Sequence, residues 1–247
     1  MCSSGLKSRS KSEGGPPAER RFSASAGLKR LAHSLPLRVQ QELKRIYFAR
    51  ALRNGTFRSD ESEFQRLEEW LEAGDWVLDV GANVGHYTAK LSEVVGASGR
   101  VLAFEPMRET FELLSANVAR LSLRNVTLFN VAASDCTRLA GMTIPRNDED
   151  VENYYMAHLA EGIGTSSVLC LAVDALGLAA KIKLAKVDVE GHEFTALKGM
   201  ERIIARDRPI LIVEGNSEEV EALLAQYGYE ATHDEQSPNR VYTCNRR

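Results

Sequence analysis

The sequence has few cysteines, and their spacing argues against cysteine-based sites. The four of them, Cys2, Cys136, Cys170 and Cys244, lie far apart, and no C-x-x-C pair occurs. Structural zinc sites and small disulfide frameworks need closely spaced cysteines. We therefore expect reduced thiols in a cytoplasmic protein, with neither a zinc site nor a disulfide framework.

Long apolar runs are also missing. No segment approaches the about 20 consecutive apolar residues that cross a bilayer, and no basic start is followed by an apolar signal core. At the same time, 44% of the 247 residues are hydrophobic, which is enough to build a core. These features predict a soluble protein with no membrane partner.

Charge is distributed unevenly along the chain. Residues 1–58 contain thirteen Lys or Arg and three Asp or Glu, a sum of +10, whereas residues 59–247 sum to −13. The acidic body should have no general affinity for nucleic acid, so only the basic end would bind such a partner. Residues 1–33 are also rich in Ser, Gly and Pro, and we predict that they form a disordered basic tail.

Residues 34–74 are predicted to form a helical N-terminal extension. Ser34 and Pro36 favour a helix start, and Asn54-Gly55 favours its end. A second helix is predicted from Asp60 to Gly74. In both helices, apolar residues at helical spacing are expected to pack on the domain that follows. They are Val39, Leu43, Ile46 and Tyr47 in the first helix, and Phe64, Leu67 and Leu71 in the second.

From residue 75 to residue 247, strand and helix patterns alternate. Strands are predicted at residues 77–80, 101–104, 126–131, 182–189, 209–214, 229–233 and 240–244. The alternation predicts a doubly wound α/β domain with a mostly parallel sheet, and the closing hairpin predicts an antiparallel last strand. Residues 136–170 are too long for a plain connection, so we expect an added hairpin or a substrate lid there.

The most informative stretch is the turn after the first predicted strand. Asp79 lies at the end of an apolar run and is followed by Gly81-Ala82-Asn83-Val84-Gly85 and then by a helical pattern. A strand, a glycine-rich turn and a helix N-terminus form a layout that binds nucleotide-like ligands. We expect the glycines to let the backbone approach the ligand, and Asp79 to accept a hydrogen bond from a ligand hydroxyl or ammonium group.

Polar residues, most of them acidic, follow all five predicted parallel strands. Parallel strands direct their carboxyl ends to one edge of the sheet, where ligands bind. The residues are Asp79, Glu105, Ser134 with Asp135, Asp188 with Glu190, and Glu214 with Asn216. Together they predict a site for a polar ligand that carries positive charge, in which Glu105 accepts hydrogen bonds from ribose hydroxyls.

Dinucleotides and S-adenosylmethionine (AdoMet) both fit this layout. A dinucleotide requires G-x-G-x-x-G to make room for its pyrophosphate, but Asn83 stands where the second glycine would be. AdoMet has no phosphate, and its amino group and sulfonium suit Asp79 and the other acids. Asp135 would take a hydrogen bond from the adenine amino group. The residues therefore favour AdoMet over a nicotinamide cofactor.

Five motifs, taken in order, resemble those of the FkbM-type AdoMet-dependent methyltransferases. They are D-V-G-A-N-V-G-H-Y-T (79–88), F-E-P (104–106), K-V-D-V-E-G-H-E (186–193), L-K-G (197–199) and I-V-E (212–214). The resemblance covers about residues 75–216 and implies a class I methyltransferase fold of seven strands, the seventh antiparallel. It implies methyl transfer to a hydroxyl oxygen, typically on a sugar, polyketide or other secondary metabolite.

Individual residues are matched to the family's motifs by position. The cofactor motifs correspond to Asp79, Gly81, Asn83, Gly85 and Glu105, and the motif after the fourth strand corresponds to Asp188, Glu190 and Gly191. Residues 1–60 and 136–170 lie outside these motifs. Substrate contacts usually lie in such variable segments, so the motifs do not identify the particular acceptor. The sequence does not predict the oligomeric state either.

Methyl transfer requires an aligned acceptor oxygen and a group that takes its proton. Asp188, Glu190 and His192 follow the fourth strand, whose end lies beside the methyl group in this fold, and they are the candidate bases. A carboxylate crowded by others, as Asp188 is, should have a raised pKa.

Several alternatives stay open. Asp188 could bind the methionyl amine or ligate Mg²⁺ with Glu214 and Asn216, although we favour a site without metal. Tyr154, Tyr155 and His158 are candidates for an acceptor pocket. The other functional hypotheses are a nicotinamide-dependent oxidoreductase and a non-catalytic module that binds AdoMet or nucleic acid.

Overall fold

The computed structural model describes residues 37–143, 158–160, 166–234 and 237–244. The predicted tail at residues 1–33 and the pocket candidates Tyr154 and Tyr155 fall outside these ranges. In the described part of the chain, no helix is both long and apolar enough to cross a bilayer.

Eleven strands within these ranges form two sheets. They are β1 (Trp76–Val80), β2 (Arg100–Phe104), β3 (Val126–Phe129), β4 (Ala132–Ala133), β5 (Arg138–Thr143), β6 (His158–Ala160), β7 (Ser166–Leu171), β8 (Ile182–Val187), β9 (Ile210–Glu214), β10 (Tyr229–His233) and β11 (Asn239–Cys244). The main sheet has the order β10-β11-β9-β8-β1-β2-β3. Strand β11 is antiparallel to both β9 and β10, and the other pairs are parallel. The predicted mostly parallel sheet with an antiparallel last strand is confirmed.

Helices alternate with the strands of the main sheet. They are α1 (Leu37–Arg53), α2 (Ser62–Gln65), α3 (Leu67–Trp70), α4 (His86–Val95), α5 (Arg108–Arg120), α6 (Glu193–Lys198), α7 (Glu201–Asp207) and α8 (Glu218–Ala225), with a 3₁₀ turn at Val173–Leu176. The start of α8 shows the local cause of one boundary. The Ser217 hydroxyl accepts a hydrogen bond from the Val220 N–H and so caps the helix.

Each face of the main sheet has its own apolar layer, because neighbouring residues of a strand point to opposite faces. One layer includes Leu78, Ala185 and Leu211 with Met200, Ile204 and Leu224 of the C-terminal helices. The other includes Val77, Leu184 and Ile212 with Leu67 of α3 and Leu91 of α4. Strand β1 therefore lies between two covered faces, and its one charged residue, Asp79, shares a face with Val77.

Several predicted boundaries differ from the structure. The third strand ends at Phe129, not at residue 131, because the chain leaves the main sheet and Ala132–Ala133 pairs with β7 instead. The fourth strand ends at Val187, not at residue 189. The second predicted helix is divided at Arg66 into the two short helices α2 and α3.

The segment that breaks the alternation contributes to the second sheet, which has the order β4-β7-β5-β6. Strand β5 is antiparallel to both β6 and β7. Its inner face packs Ala140 and Met142 against Val168, Cys170 and Met107. The sequence predicted an added hairpin or a lid here. The strands are present, and the role as a lid stays a prediction.

Helix α1 contacts the domain through a different face from the one expected. Phe48 is buried with Phe57, Val84 and Leu113. The predicted packing residues are instead exposed, with exposed fractions of 41% for Val39, 45% for Leu43, 55% for Ile46 and 43% for Tyr47. The prediction of the contact face is therefore wrong. Phe48 lies on the other side of α1 from that apolar row. A hydrogen bond of 2.9 Å from Arg120 of α5 to the Arg45 carbonyl also joins α5 to α1.

Candidate functional site

The register of the central strands brings charged residues from distant parts of the chain together. In the parallel sheet, Asp79 of β1 is the partner of Lys186 of β8, which is in turn the partner of Ile212 of β9. Two residues further along each strand, Asp188 and Glu214 come together by the same register. Because side chains alternate along a strand, all of these groups lie on the face covered by α4.

Asp79 is fully buried at the carboxyl end of β1. Its Oδ2 accepts a hydrogen bond of 2.5 Å from the Thr88 hydroxyl of α4. Its Oδ1 is buried and has no hydrogen-bond partner in the part of the chain that the structure describes. Burial raises the pKa of Asp79, against the opposing effects of Lys186 and the Thr88 hydrogen bond. A buried acceptor oxygen without a donor is costly, so this oxygen suits a ligand that donates a hydrogen bond.

The glycine turn follows Asp79 directly, and its first glycine is required by the protein itself. Gly81 has φ +81°, and a Cβ there would lie 1.7 Å from the Asp188 carbonyl oxygen. A Cβ on Gly85, with φ +97°, would lie 2.7 Å from Leu114 Cδ1. Close contacts between β1, β8 and α5 therefore require both glycines, and the expectation that they let the backbone approach a ligand stays a prediction.

Asn83 lies in the middle of the turn with φ +51°, a conformation that asparagine tolerates better than most residues. Its side-chain oxygen Oδ1 is buried, and no described residue forms a hydrogen bond with it. Its backbone N–H donates to Glu105 Oε2 at 2.9 Å. The turn therefore presents a second unsatisfied acceptor close in sequence to that of Asp79.

Glu105 is buried at the end of β2. Besides the contact to Asn83, its Oε1 accepts a hydrogen bond of 2.9 Å from the Met107 N–H. Burial raises the pKa of Glu105 to about 7, although these two hydrogen bonds oppose the shift. The carboxylate thus joins the glycine turn to the start of α5. Each oxygen keeps a lone pair, so the predicted ribose contact is compatible with both bonds.

Asp188 and Glu214 share a hydrogen bond but differ in ionisation. Burial alone would raise the pKa of Asp188, but the Lys186 ammonium and a hydrogen bond from Glu214 lower it. Lys186 Nζ donates to Asp188 Oδ2 at 2.6 Å. Burial, Asp188 and Glu190 raise the pKa of Glu214 to about 9. The expectation of a raised pKa for Asp188 is therefore wrong, because Lys186 selects Asp188 as the ionised member and leaves the proton on Glu214.

Glu190 lies in the loop after β8 with φ +52°. One oxygen from each of Asp188, Glu190 and Glu214 lies within 4.8 Å of the others, a spacing that could accommodate a divalent cation. This group shares Asp188 and Glu214 with the predicted magnesium ligands and adds Glu190, and the predicted part of Asn216 stays a prediction. Asp188 and Glu214 also share a hydrogen bond, so the same carboxyl groups can hold a proton instead of a metal ion.

Ser134, Asp135 and His192 form a second group at the edge of the site. The Ser134 hydroxyl lies 3.2 Å from His192 Nε2 and 3.2 Å from Asp135 Oδ1. Arg138 Nη1 donates to Asp135 Oδ1 at 3.0 Å. Burial and the nearby Arg138 lower the pKa of His192, so the imidazole is neutral near pH 7. The structure therefore brings His192 to the predicted adenine-side residues, and Glu190 to Asp188 and Glu214.

Three residues that hold the site were not identified from the sequence. Lys186 binds Asp188, Thr88 binds Asp79, and Glu193 Oε1 accepts hydrogen bonds of 3.1 Å from the N–H groups of Val189 and Gly191. A lysine inside the apolar strand I-K-L-A-K-V was a signal that could have pointed to Lys186. Thr88 and Glu193 carry no such signal, because both residue types are common in the first turns of helices.

The strand order and the strand-end acids define the class of protein. A seven-stranded sheet with an antiparallel strand beside β9 and a glycine turn after β1 is the class I methyltransferase fold. The solved structure of a methyltransferase FkbM from Methylobacillus flagellatus KT shares this fold with a TM-score of 0.53 and 19% sequence identity. The match covers 70% of this chain and 44% of that chain.

The family follows from the sequence comparison. The methyltransferase FkbM domain matches residues 79–231, and the chain belongs to this family. It is 29% identical over 150 residues to the hexuronic acid methyltransferase AglP of Haloferax volcanii, covering 58% of this chain and 57% of that relative's length. A shorter match of 60 residues, 40% identical, is to a protein-L-isoaspartate O-methyltransferase of Thermotoga maritima, covering 24% of this chain and 19% of the relative.

Proposed function

We propose that the protein is an AdoMet-dependent O-methyltransferase that acts on a hydroxyl group of a small molecule, of the sugar or secondary-metabolite type. One observation carries the cofactor assignment. Two buried acceptor oxygens, Asp79 Oδ1 and Asn83 Oδ1, have no hydrogen-bond partner among the described residues, and they belong to the stretch that resembles the cofactor motif of the family. Acceptors of this kind fit the ammonium and hydroxyl donors of AdoMet, and they do not fit a phosphate.

Each predicted cofactor residue has a proposed contact. Asp79 would accept from the amino group, Glu105 from the ribose hydroxyls, and Asp135 from the adenine amino group, while Ser134 orients Asp135. The backbone of Gly81, Asn83 and Gly85 shapes the turn that carries these groups. When bound, AdoMet supplies a methyl group that its sulfonium has already activated. The protein's own contribution is then to position the acceptor oxygen and to take its proton.

Asp188 is the residue that we propose as the base. It is ionised, half-buried and hydrogen-bonded to a protonated Glu214, so the pair already shares one proton across two oxygens. A hydroxyl proton passed to Asp188 would lie next to Glu190 and Glu214, whose oxygens are within 4.8 Å. His192 is the alternative base, because its neutral imidazole has a second ring nitrogen besides the one that contacts Ser134.

The acceptor class is supported by the relative of Haloferax volcanii, whose name states that it methylates a hexuronic acid. The present chain spans 57% of that relative's length, so the proposal is restricted to the chemical class, an oxygen on a sugar-like ring. The assay is methyl transfer to a panel of hexoses, hexuronic acids and polyols, followed by detection of S-adenosylhomocysteine. Release that does not depend on any member of the panel would contradict a sugar-type acceptor.

The first prediction concerns Asp79. Substituting Asp79→Asn should weaken binding of AdoMet by about 10- to 100-fold, because a hydrogen bond to a charged group contributes about 1.5–3 kcal/mol. Isothermal titration with AdoMet and S-adenosylhomocysteine measures this. The matched control is Glu72→Gln, which also removes one negative charge but at an exposed position. Equal affinities for both variants would remove Asp79 from the cofactor site, and absence of binding by the wild type would refute the cofactor assignment.

A further inference from the structure

Lys186 is a lysine in the interior of a central strand. It is 4% exposed, and β8 lies between β1 and β9 in the main sheet. Among the residues whose burial the structure describes, it is the only lysine or arginine in the buried set, whereas several carboxylates are buried. A buried ammonium is costly unless anionic partners and hydrogen bonds compensate it.

The partners of Lys186 belong to two different strand ends. Its Nζ donates to Asp188 Oδ2 at 2.6 Å, and Asp79 is its register partner on β1. The third side is covered by the ring of Tyr87, whose centroid lies 4.8 Å from Nζ. Tyr87 Oη in turn donates to Glu61. The ammonium therefore binds the Asp188 carboxylate and packs on an aromatic face, and the Asp79 carboxylate on the neighbouring strand interacts with it electrostatically.

We propose that Lys186 is a positioning residue whose buried ammonium sets the relative placement of the Asp79 and Asp188 carboxylates across β1 and β8. In terms of the proposed function, on which this inference rests, one cation then connects the cofactor carboxylate to the carboxylate that receives the acceptor proton. The same ammonium keeps two anions stable on neighbouring strands, where they would otherwise repel each other.

The geometry separates this role from that of an ordinary ion pair. An ordinary ion pair involves one carboxylate, whereas the Lys186 ammonium binds Asp188 and also interacts electrostatically with Asp79, and both are residues of the site. Asp188 binds the ammonium directly and Asp79 interacts with it electrostatically from the neighbouring strand, so moving one of the carboxylates changes the environment of the other. Loss of the ammonium would leave the buried Asp79 and the half-buried Asp188 on adjacent strands without a compensating cation, which is more damaging than loss of either carboxylate.

The test compares two lysines of β8. Lys183 lies on the same strand but is exposed, so Lys183→Met is the matched control for Lys186→Met. We expect Lys186→Met to lower the melting temperature by about 10 °C and to weaken S-adenosylhomocysteine binding at least about tenfold, while Lys183→Met changes neither. An unchanged melting temperature and affinity in Lys186→Met would overturn the proposal.

A second experiment, charge rescue, removes one of the two carboxylate charges as well as the lysine charge. It tests the proposal even if Lys186→Met folds poorly. Adding Asp79→Asn or Asp188→Asn to Lys186→Met removes one of the two uncompensated charges and should recover most of the lost melting temperature. Only the Asp188→Asn combination should recover S-adenosylhomocysteine affinity, because it keeps Asp79. If neither double variant is more stable than Lys186→Met, or if both recover affinity equally, Lys186 does not act through these carboxylates.

The same experiment distinguishes failure of this inference from failure of the proposed function. Wild-type protein that binds neither AdoMet nor S-adenosylhomocysteine would refute the cofactor, yet the melting temperatures of the single and double variants would still report whether Lys186 compensates Asp79 and Asp188. Wild-type binding together with absence of charge rescue would refute the role of Lys186 and leave the proposed function intact.

Discussion

Two carboxyl groups that share a hydrogen bond carry different charges at neutral pH. Asp188 is ionised because Lys186 donates to it, and the pKa of Glu214 is raised to about 9 by burial and by its anionic neighbours. The single ammonium thus decides which of two chemically similar residues holds the proton. The difference in ionisation between Asp188 and Glu214 therefore follows from the 2.6 Å contact between Lys186 Nζ and Asp188 Oδ2.

The ionisation of Glu214 predicts how stability depends on pH. Its folded-state pKa of about 9 lies above the ordinary value of 4.5, so the folded state binds more protons between these values. The contribution of Glu214 to stability is therefore fully present below about pH 4.5 and is lost as the pH rises towards 9. Glu214→Gln cannot titrate and keeps a donor for Asp188.

The measurement is the melting temperature of wild type and Glu214→Gln between pH 5 and 9. We expect the wild-type value to fall by several degrees relative to the variant across this range. Contributions from other titrating groups are common to both proteins, so the difference between the curves reports Glu214. Parallel curves would show that Glu214 is already ionised at pH 5.

At the scale of elements, the glycine turn between β1 and α4 is constrained from two sides. The N–H groups of Gly81 and Ala82 both donate to the Phe104 carbonyl of β2, at 3.0 and 2.9 Å. On the other side, the Asp188 carbonyl after β8 occupies the space where a Cβ of residue 81 would lie. The turn is therefore packed between the ends of β2 and β8, the two strands that flank β1.

These contacts predict a large difference in stability between alanine substitutions at two glycines that have the same φ. Gly81 and Gly215 both have φ +81°, but a Cβ at Gly215 would meet no atom of the described residues within 4 Å. Gly215→Ala should cost about 1–2 kcal/mol, which is the conformational penalty alone. Gly81→Ala should cost at least about 2 kcal/mol more, because backbone atoms must move.

Urea denaturation of the two glycine variants gives the free energies of unfolding directly. Similar values for Gly81→Ala and Gly215→Ala would mean that β8 moves away from the turn without cost. If Gly81→Ala yields no folded protein while Gly215→Ala folds normally, the expected order is upheld.

At the scale of the whole molecule, a buried carboxylate connects the N-terminal extension to the last hairpin. Glu63 of α2 is 2% exposed, and its Oε1 accepts hydrogen bonds from Ser237 Oγ at 2.9 Å and from Asn239 Nδ2. Tyr87 of α4 also donates to this oxygen, at 3.4 Å. Residues more than 170 positions apart in the sequence thus meet at one oxygen, which makes the extension part of the folded domain.

Removing this carboxylate should therefore destabilise the molecule as a whole. Glu63→Ala leaves the buried donors of Ser237 and Asn239 without an acceptor, and we expect a loss of about 3 kcal/mol. Glu69→Ala, on the exposed surface of α3, is the control and should cost less than about 1 kcal/mol. Chemical denaturation measures both, and equal losses would show that the Glu63 contacts do not couple the two ends of the chain.

Much of this architecture could be predicted from local patterns. The strand and helix periods predicted the main sheet and its antiparallel last strand, and the motifs around Asp79 and Asp188 predicted the family. These inferences succeed because they depend on residues close together in the sequence. The contact face of α1 could not be predicted in this way: Val39 and Leu43 follow a helical period, yet Phe48 is the residue that packs.

The roles of individual residues depended on neighbours that the sequence does not place together. The sequence by itself determined the fold class, the family and the set of polar residues at the strand ends, because hydrophobic period and motif spacing are local properties. Only the tertiary structure decided that Gly81 makes room for the Asp188 carbonyl, that Lys186 pairs with Asp188, and that Glu214 holds the proton. Each of these depends on the register of β1, β8 and β9, since distance and burial across neighbouring strands determine both steric clash and ionisation.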